Sequence, residues 1–203
     1  MVKSLPAQES DHHAFDNESR IRRGFEVAPV PVNLEHKDRA LVGLGSYLVN
    51  SVASCNDCHS DGPMTEYLPG GNPFFNQPQQ VNPAVYLGGG RDFSPSVPAT
   101  PEIISRNLTP DNTGRPEGGH TYAGSVKIMR SGVDMDHVHP TCSATVTTGC
   151  LPPPFDGDPL QIMPWPLFQN LIDHDWQAIY EYLSAIPCVE SSTDPANPLH
   201  IDC

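Results

Sequence analysis

Five residues, Cys55-Asn56-Asp57-Cys58-His59, constrain this chain more than any other stretch. Two thiols separated by two residues, with a histidine directly after the second, form the attachment pattern of a c-type haem. The chemistry accounts for the spacing. Each thiol adds across one vinyl group of the porphyrin to give a thioether, and the two-residue gap matches the separation of the vinyls. The next residue then falls beneath the ring, where its imidazole reaches the iron as proximal ligand. A redox-active dithiol shares the Cys-x-x-Cys but follows a strand in a βαβ context. Here an apolar segment of helical period precedes it. A zinc site needs a second close Cys/His pair at ligand spacing, which Cys142 and Cys150 do not supply. The expectation is one covalent haem c, attached through Cys55 and Cys58 with His59 on the iron.

Composition fits a small core under long loops. The chain has 203 residues, 23 prolines and 16 glycines, with 37% hydrophobic residues, enough for one domain. A porphyrin adds apolar surface that such a polypeptide lacks. A net charge of −13 argues against nucleic-acid binding through an electropositive surface. It suits a soluble protein that meets positively or weakly charged partners. No run is long enough to span a bilayer. Met1 to Phe25 is polar and has no apolar core of a secretory signal. Since haem of this type is attached outside the cytoplasm, the expected location is periplasmic or otherwise extracytoplasmic, with a signal or anchor already removed.

Six cysteines leave four once a haem takes two. An even remainder in an exported chain reads as two disulfides. Four cysteines permit three connectivities; the nearest pairings are Cys142–Cys150 and Cys188–Cys203. The second would close a loop worth roughly 3 kcal/mol in the chain-entropy account.

Residues 1–36 lack periodicity and read as an extended or partly ordered arm or linker, ahead of a domain over 37–203. From Asp38, Ala40, Leu41, Leu44, Tyr47, Leu48 and Val52 recur at three- and four-residue steps, an amphipathic helix running into the cysteines. Gly43 and Gly45 inside it each cost about 1 kcal/mol of helix propensity and hint at close approach by another element. Insertions follow at about 60–105 and 133–160, with a short hairpin expected around Val81–Leu87. A second helix after His120 places Tyr122, Val126 and Met129 on one face, and Gly132 ends it. In a third, capped by Asp173, Trp176, Ile179, Tyr180 and Leu183 recur before Pro187.

The iron needs a sixth ligand or an open position. Met163, in Gln161-Ile162-Met163-Pro164-Trp165-Pro166, is flanked by prolines that stiffen its loop. Met129 sits at core spacing and Met64 lies too near the cysteines. Met135, His137 and His139 compete from a loop, and a vacant site stays open. Met163 is the expected ligand. Loop aspartates such as Asp92, Asp134, Asp136, Asp156 and Asp158 lack a calcium-loop pattern. Trp165 and Trp176 read as packing residues.

Gly45-Ser46-Tyr47-Leu48-Val49-Asn50 before Cys55–His59, then Asn107-Leu108-Thr109-Pro110-Asp111, Met163-Pro164-Trp165 and Asp175 to Leu183 resemble class I cytochromes c in order and spacing. Within that family the likeness is to periplasmic monohaem cytochromes and to cytochrome subunits of bacterial dehydrogenases. It covers about residues 38–59 and 103–187. The resemblance implies a mostly α fold around one haem, with Met163 as distal ligand. It also implies that the helix before the haem crosses the last helix, Gly45 and Tyr47 meeting the Trp176/Tyr180 face. The implied function is single-electron transfer between redox protein partners, by a carrier and not an enzyme. Two rivals stay open: a haem enzyme or gas sensor with an open distal site, and a haem subunit docked into a larger dehydrogenase or polymer through residues 1–36 and 60–105.

Overall fold

Asp38 starts the helix on which the others pack. Its carboxylate accepts hydrogen bonds from the backbone N–H of Ala40 (2.7 Å) and Leu41 (3.2 Å). These satisfy two of the donors that a helix start leaves open. The helix, α2, runs Arg39–Tyr47 and widens into a π turn at Leu48–Val52. The computed structural model describes residues 7–93, 103–134, 141–147, 150–153, 159–190 and 203, and the chain is mostly helical with little strand. The remaining helices are α1 (Ala7–Val27), α3 (Cys55–Cys58), α4 (Pro116–Gly119), α5 (Tyr122–Ser131), α6 (Trp165–Phe168) and α7 (Asp173–Leu183).

Two glycines let α2 touch a helix on each side. At 3.6 residues per turn, positions two apart point to opposite faces. Gly45 lies against α7, where a Cβ would come 1.9 Å from the Ala178 carbonyl oxygen and 2.7 Å from Tyr182 Cβ. Gly43 lies against α1, where a Cβ would meet Ile21 Cγ2 and Phe25 Cε2 at 2.7 Å; a Cβ on Gly24 would strike Gly43's own carbonyl oxygen at 1.8 Å. Both crossings are backbone-to-backbone. The α2–α7 crossing is there as expected, but Gly45 meets Ala178 and Tyr182. Trp176 and Tyr180 face a cavity instead.

The extended arm expected over residues 1–36 is corrected, in its described part, by α1. The helix is rich in charged and polar residues, so it shows little apolar stripe. Because the Gly24–Gly43 contact brings the backbones together, Ile21 and Phe25 suffice to seat it. After α1, Val30 is buried, Val32 and Leu34 pack on the core, and Asn33 N–H donates to the Ala185 carbonyl at 2.8 Å.

A buried polar chain ties these layers. Ser46 Oγ donates to the Gly24 carbonyl (2.7 Å), and Asn50 Nδ2 donates to the Ser46 carbonyl (2.9 Å) and the Tyr182 hydroxyl (3.2 Å). Tyr86 donates to Asn50 Oδ1 at 2.6 Å and sits 2.8 Å from the Tyr182 hydroxyl. Two tyrosines are thereby buried with their hydroxyls paired, which removes the penalty of an unsatisfied polar group.

Elsewhere α5 falls where periodicity put it, with Thr121 Oγ1 accepting from Gly124 N–H and Gly132 (φ 75) ending it. The cap expected at Asp173 is corrected: Ile172 holds that position without a side-chain bond. Asp173, first residue of α7, instead accepts from Arg130 Nη2 at 2.8 Å. Its charge still complements the helix N-terminus. The hairpin expected at Val81–Leu87 is also corrected. Val81 pairs antiparallel with Tyr67, and residues 83–87 turn inward to bury Tyr86 and Leu87. Cys142 bonds Cys150 and Cys188 bonds Cys203. No helix among the described residues is long and apolar enough to cross a membrane.

Gly45→Ala is expected to destabilise by about 1–3 kcal/mol from overpacking, despite the ~1 kcal/mol gain in helix propensity, because a backbone carbonyl cannot swing away. Gly43→Ala should release α1 alone. Urea titration checks the first, and hydrogen exchange confined to residues 20–27 checks the second.

Candidate functional site

The two cysteines left free after disulfide pairing stand on α3. Ser54, just before it, has φ 48. This left-handed value is uncommon outside glycine and breaks the chain out of the π turn, so that a new helical turn begins at Cys55. His59 N–H closes that turn on the Cys55 carbonyl at 2.9 Å. Asn56 Oδ1 accepts from Leu87 N–H at 2.9 Å, and the His59 carbonyl accepts from Gly89 N–H at 2.9 Å. The motif is thus bolted to the 86–89 segment.

His59 is buried, and its Nδ1 lies 2.8 Å from the Arg106 carbonyl oxygen. A carbonyl only accepts, so Nδ1 carries the proton and Nε2 keeps its lone pair. Burial holds the imidazole pKa below its ordinary value, with the Arg106 charge acting the same way and the hydrogen bond opposing. The ring is neutral and oriented, with Nε2 left as the nitrogen that could bind a metal, as outer-shell bonds arrange metal-binding histidines. The segment behind it is rigid. Asn107 Oδ1 accepts from Thr109 N–H (2.8 Å) and Oγ1 (2.7 Å), and Arg106 Nη2 pairs with the buried Asp134 carboxylate at 2.9 Å.

The thiols are not activated. Burial pushes the Cys55 thiol up to about 12, with the Glu117 and Cys58 charges adding. Burial raises Cys58 too, with Arg91 opposing. Disulfide-exchange cysteines show the reverse, a lowered pKa, so a redox dithiol is a poor description of this pair. Among the described residues no three His, Cys, Asp or Glu side chains converge as a metal cluster.

Glu117 is the residue that sequence reasoning missed. It sits in the one-turn α4 at φ 56, close enough to Cys55 for its charge to act on that thiol. Its own carboxyl pKa is raised, burial being the main cause. Glu117 lines a water-sized cavity of about 10 Å³ with Tyr122, Val126, Trp176, Ile179 and Tyr180. Trp176 Nε1 is buried without a partner in this wall, a group that asks for an explanation. Nothing in Arg115-Pro116-Glu117-Gly118-Gly119-His120 distinguishes it from a surface turn.

Met163 is half-buried and, like Cys55, packs against the central core. Its backbone is held twice. Met163 N–H donates to the Gln161 carbonyl at 2.7 Å around Ile162 at φ 67, and Trp165 N–H donates to the Met163 carbonyl at 2.8 Å around Pro164 at φ −77, ψ 46. These are consecutive γ-turns of opposite hand, the first rare and strained, all the more so for a β-branched residue. The Trp165 ring lies over Gly132, 2.3 Å from where a Cβ would be. Met129 is buried core and Met64 is exposed. Met135, His137 and His139, with Asp136, Asp156 and Asp158, lie outside the described residues.

Two observations fit a c-type haem: free Cys55 and Cys58, and a neutral His59 whose Nε2 keeps its lone pair. The cavity beside Trp176 has room for about one water, far less than the ~300–1,000 Å³ of pockets that enclose a whole ligand. No protein family, curated protein or solved structure that we compared matches this chain.

Glu117 supplies a pH signature. Its folded pKa lies above the ordinary carboxyl value of 4.5, so the folded state holds this proton longer than the unfolded chain. Its contribution is complete below the ordinary value and is lost as pH rises through the folded one. Glu117→Gln is expected to raise the thermal midpoint at neutral pH relative to wild type and to erase the difference near pH ~4. Melting curves across that range check it.

Proposed function

We propose that the protein is a monohaem cytochrome c of class I type that passes single electrons between redox partners in an oxidising, extracytoplasmic compartment. The observation that carries this reading is the bond from His59 Nδ1 to the Arg106 carbonyl, made within a Cys-x-x-Cys-His segment whose thiols stay free while the other cysteines pair. Cys55 and Cys58 would hold the porphyrin as thioethers, and His59 Nε2 and Met163 Sδ would hold the iron. The bound haem supplies the one-electron couple.

The chain's own residues do the rest. Arg106's carbonyl fixes the His59 tautomer and aim and enriches the imidazole's donor character. The paired γ-turns hold Met163 from both sides, so the sulfur need not travel when the charge changes. A thioether ligand favours the reduced state and raises the potential. Two strong ligands leave no position for substrate, which is why the reading is a carrier and not a catalyst. The exposed Cys58 marks the edge by which an electron would leave. Two disulfides agree with an oxidising compartment.

A second reading, a haem enzyme or gas sensor with an open distal position, draws on the unpartnered Trp176 Nε1 and the Glu117 carboxyl in the same cavity wall, which could address a small polar ligand. The same experiment separates the two. The matured, oxidised protein should show the far-red sulfur-to-iron charge-transfer band. Met163→Ala should abolish it, admit carbon monoxide rapidly, and lower the midpoint potential by on the order of 0.1 V, within the ~0.8 V that axial ligands command. A wild-type protein lacking the band and binding carbon monoxide at once supports the second reading. A colourless matured protein sinks both.

A further inference from the structure

We infer that the uncharged face built by residues 67–82 is a self-association surface whose occupant is a second copy of this chain. From Tyr67 to Gly90 there is no Asp, Glu, Lys, Arg or His, in a chain of net charge −13. On this neutral stretch stand Phe74 at 83% and Phe75 at 74% exposure, with Met64, 93% exposed, just before it and Leu68 beside them. Exposed aromatics of this size grouped in one segment mark an interaction site more often than a solvated surface.

The rings are held out on a braced platform. Asn72 Oδ1 accepts from Phe74 N–H at 2.9 Å, and Asn72 N–H donates to Gln77 Oε1 at 3.0 Å. Leu68 N–H donates to the Gln80 carbonyl and Gln80 N–H to the Gly71 carbonyl, both at 2.9 Å. A Cβ on Gly71 would lie 2.6 Å from Gln80 Cβ, so the two runs touch. The phenylalanines therefore cannot fold back under the loop, and little ordering entropy remains to be lost on contact.

Charge selects the occupant. A basic partner would be drawn to the acidic remainder of the molecule, where its charges are compensated. Two copies repel through that same remainder and can approach only where neither carries charge. A neutral aromatic patch is its own complement, and a two-fold axis through it makes one isologous contact. Salt should therefore strengthen the association, because the Debye length falls from ~30 Å at 0.01 M to ~8 Å at 0.15 M. The inference stands apart from the haem reading, since mass is measured whichever cofactor is carried.

Sedimentation equilibrium of the full chain tests it, from micromolar to near-millimolar concentration at both salts. The weight-average mass should climb from 22.1 kDa toward twice that value, with the association constant rising several-fold at the higher salt. F74S/F75S should weaken association at least tenfold with an unchanged far-UV spectrum. Leu167→Ser, which removes another exposed apolar side chain, should leave association unaltered. A monomer throughout, association that survives F74S/F75S, or association that salt weakens would overturn the proposal.

Discussion

The fold depends on backbone meeting backbone on both sides of α2. Gly43 lets α1 settle on one face and Gly45 lets α7 settle on the other, and at such distances no side chain can stand between. Close approach of this kind strengthens dispersion contacts along the whole crossing. It also brings polar groups within reach of one another: Ser46 meets the Gly24 carbonyl, and Asn50 meets Tyr182 and Tyr86. The polar chain is a product of the glycines. Without the short spacing, the two tyrosine hydroxyls would need water or would stay unsatisfied.

From this stack the cysteine segment takes its position. The π turn ends α2, Ser54 reverses the backbone, and α3 emerges beside the residues that the network has already ordered. Tyr86 and Leu87 are inside the core, so Asn56 and His59 find fixed backbone partners at Leu87 and Gly89. The histidine is thus clamped from two directions, its carbonyl by Gly89 and its ring by Arg106. Under the proposed haem reading, an imidazole so placed would limit the reorganisation that binding or electron exchange demands.

Much of this was legible in the residues. Asp38 followed by an apolar period, Thr121 before α5 with Gly132 after it, and the acidic first turn of α7 are local signals, and local signals survive translation into structure. Cys142–Cys150 and Cys188–Cys203 were the nearest pairings, and they form. What escaped notice was tertiary. α1 has few apolar residues because Gly24 does the work that a wide stripe would otherwise do. Glu117 reads as a turn residue, and only the fold brings its carboxylate near enough to act on Cys55. Arg106 enters the site through its carbonyl, to which its side-chain identity gives no clue. Ile162 looks like an ordinary apolar residue, and its left-handed backbone is dictated by the turns on either side.

The Gly24–Gly43 contact has a consequence for how relatives of this chain would differ among themselves. Position 43 is restricted to glycine by α1, whereas position 45 is restricted by α7, which the core cannot do without. A homologue that had lost the first helix would be released from the restriction at 43 while still bound by the one at 45. Substitution at 24 and 43 should therefore drift together across a lineage, with 45 unmoved, and a bulky residue at the middle position would betray a shortened chain before any coordinates were known.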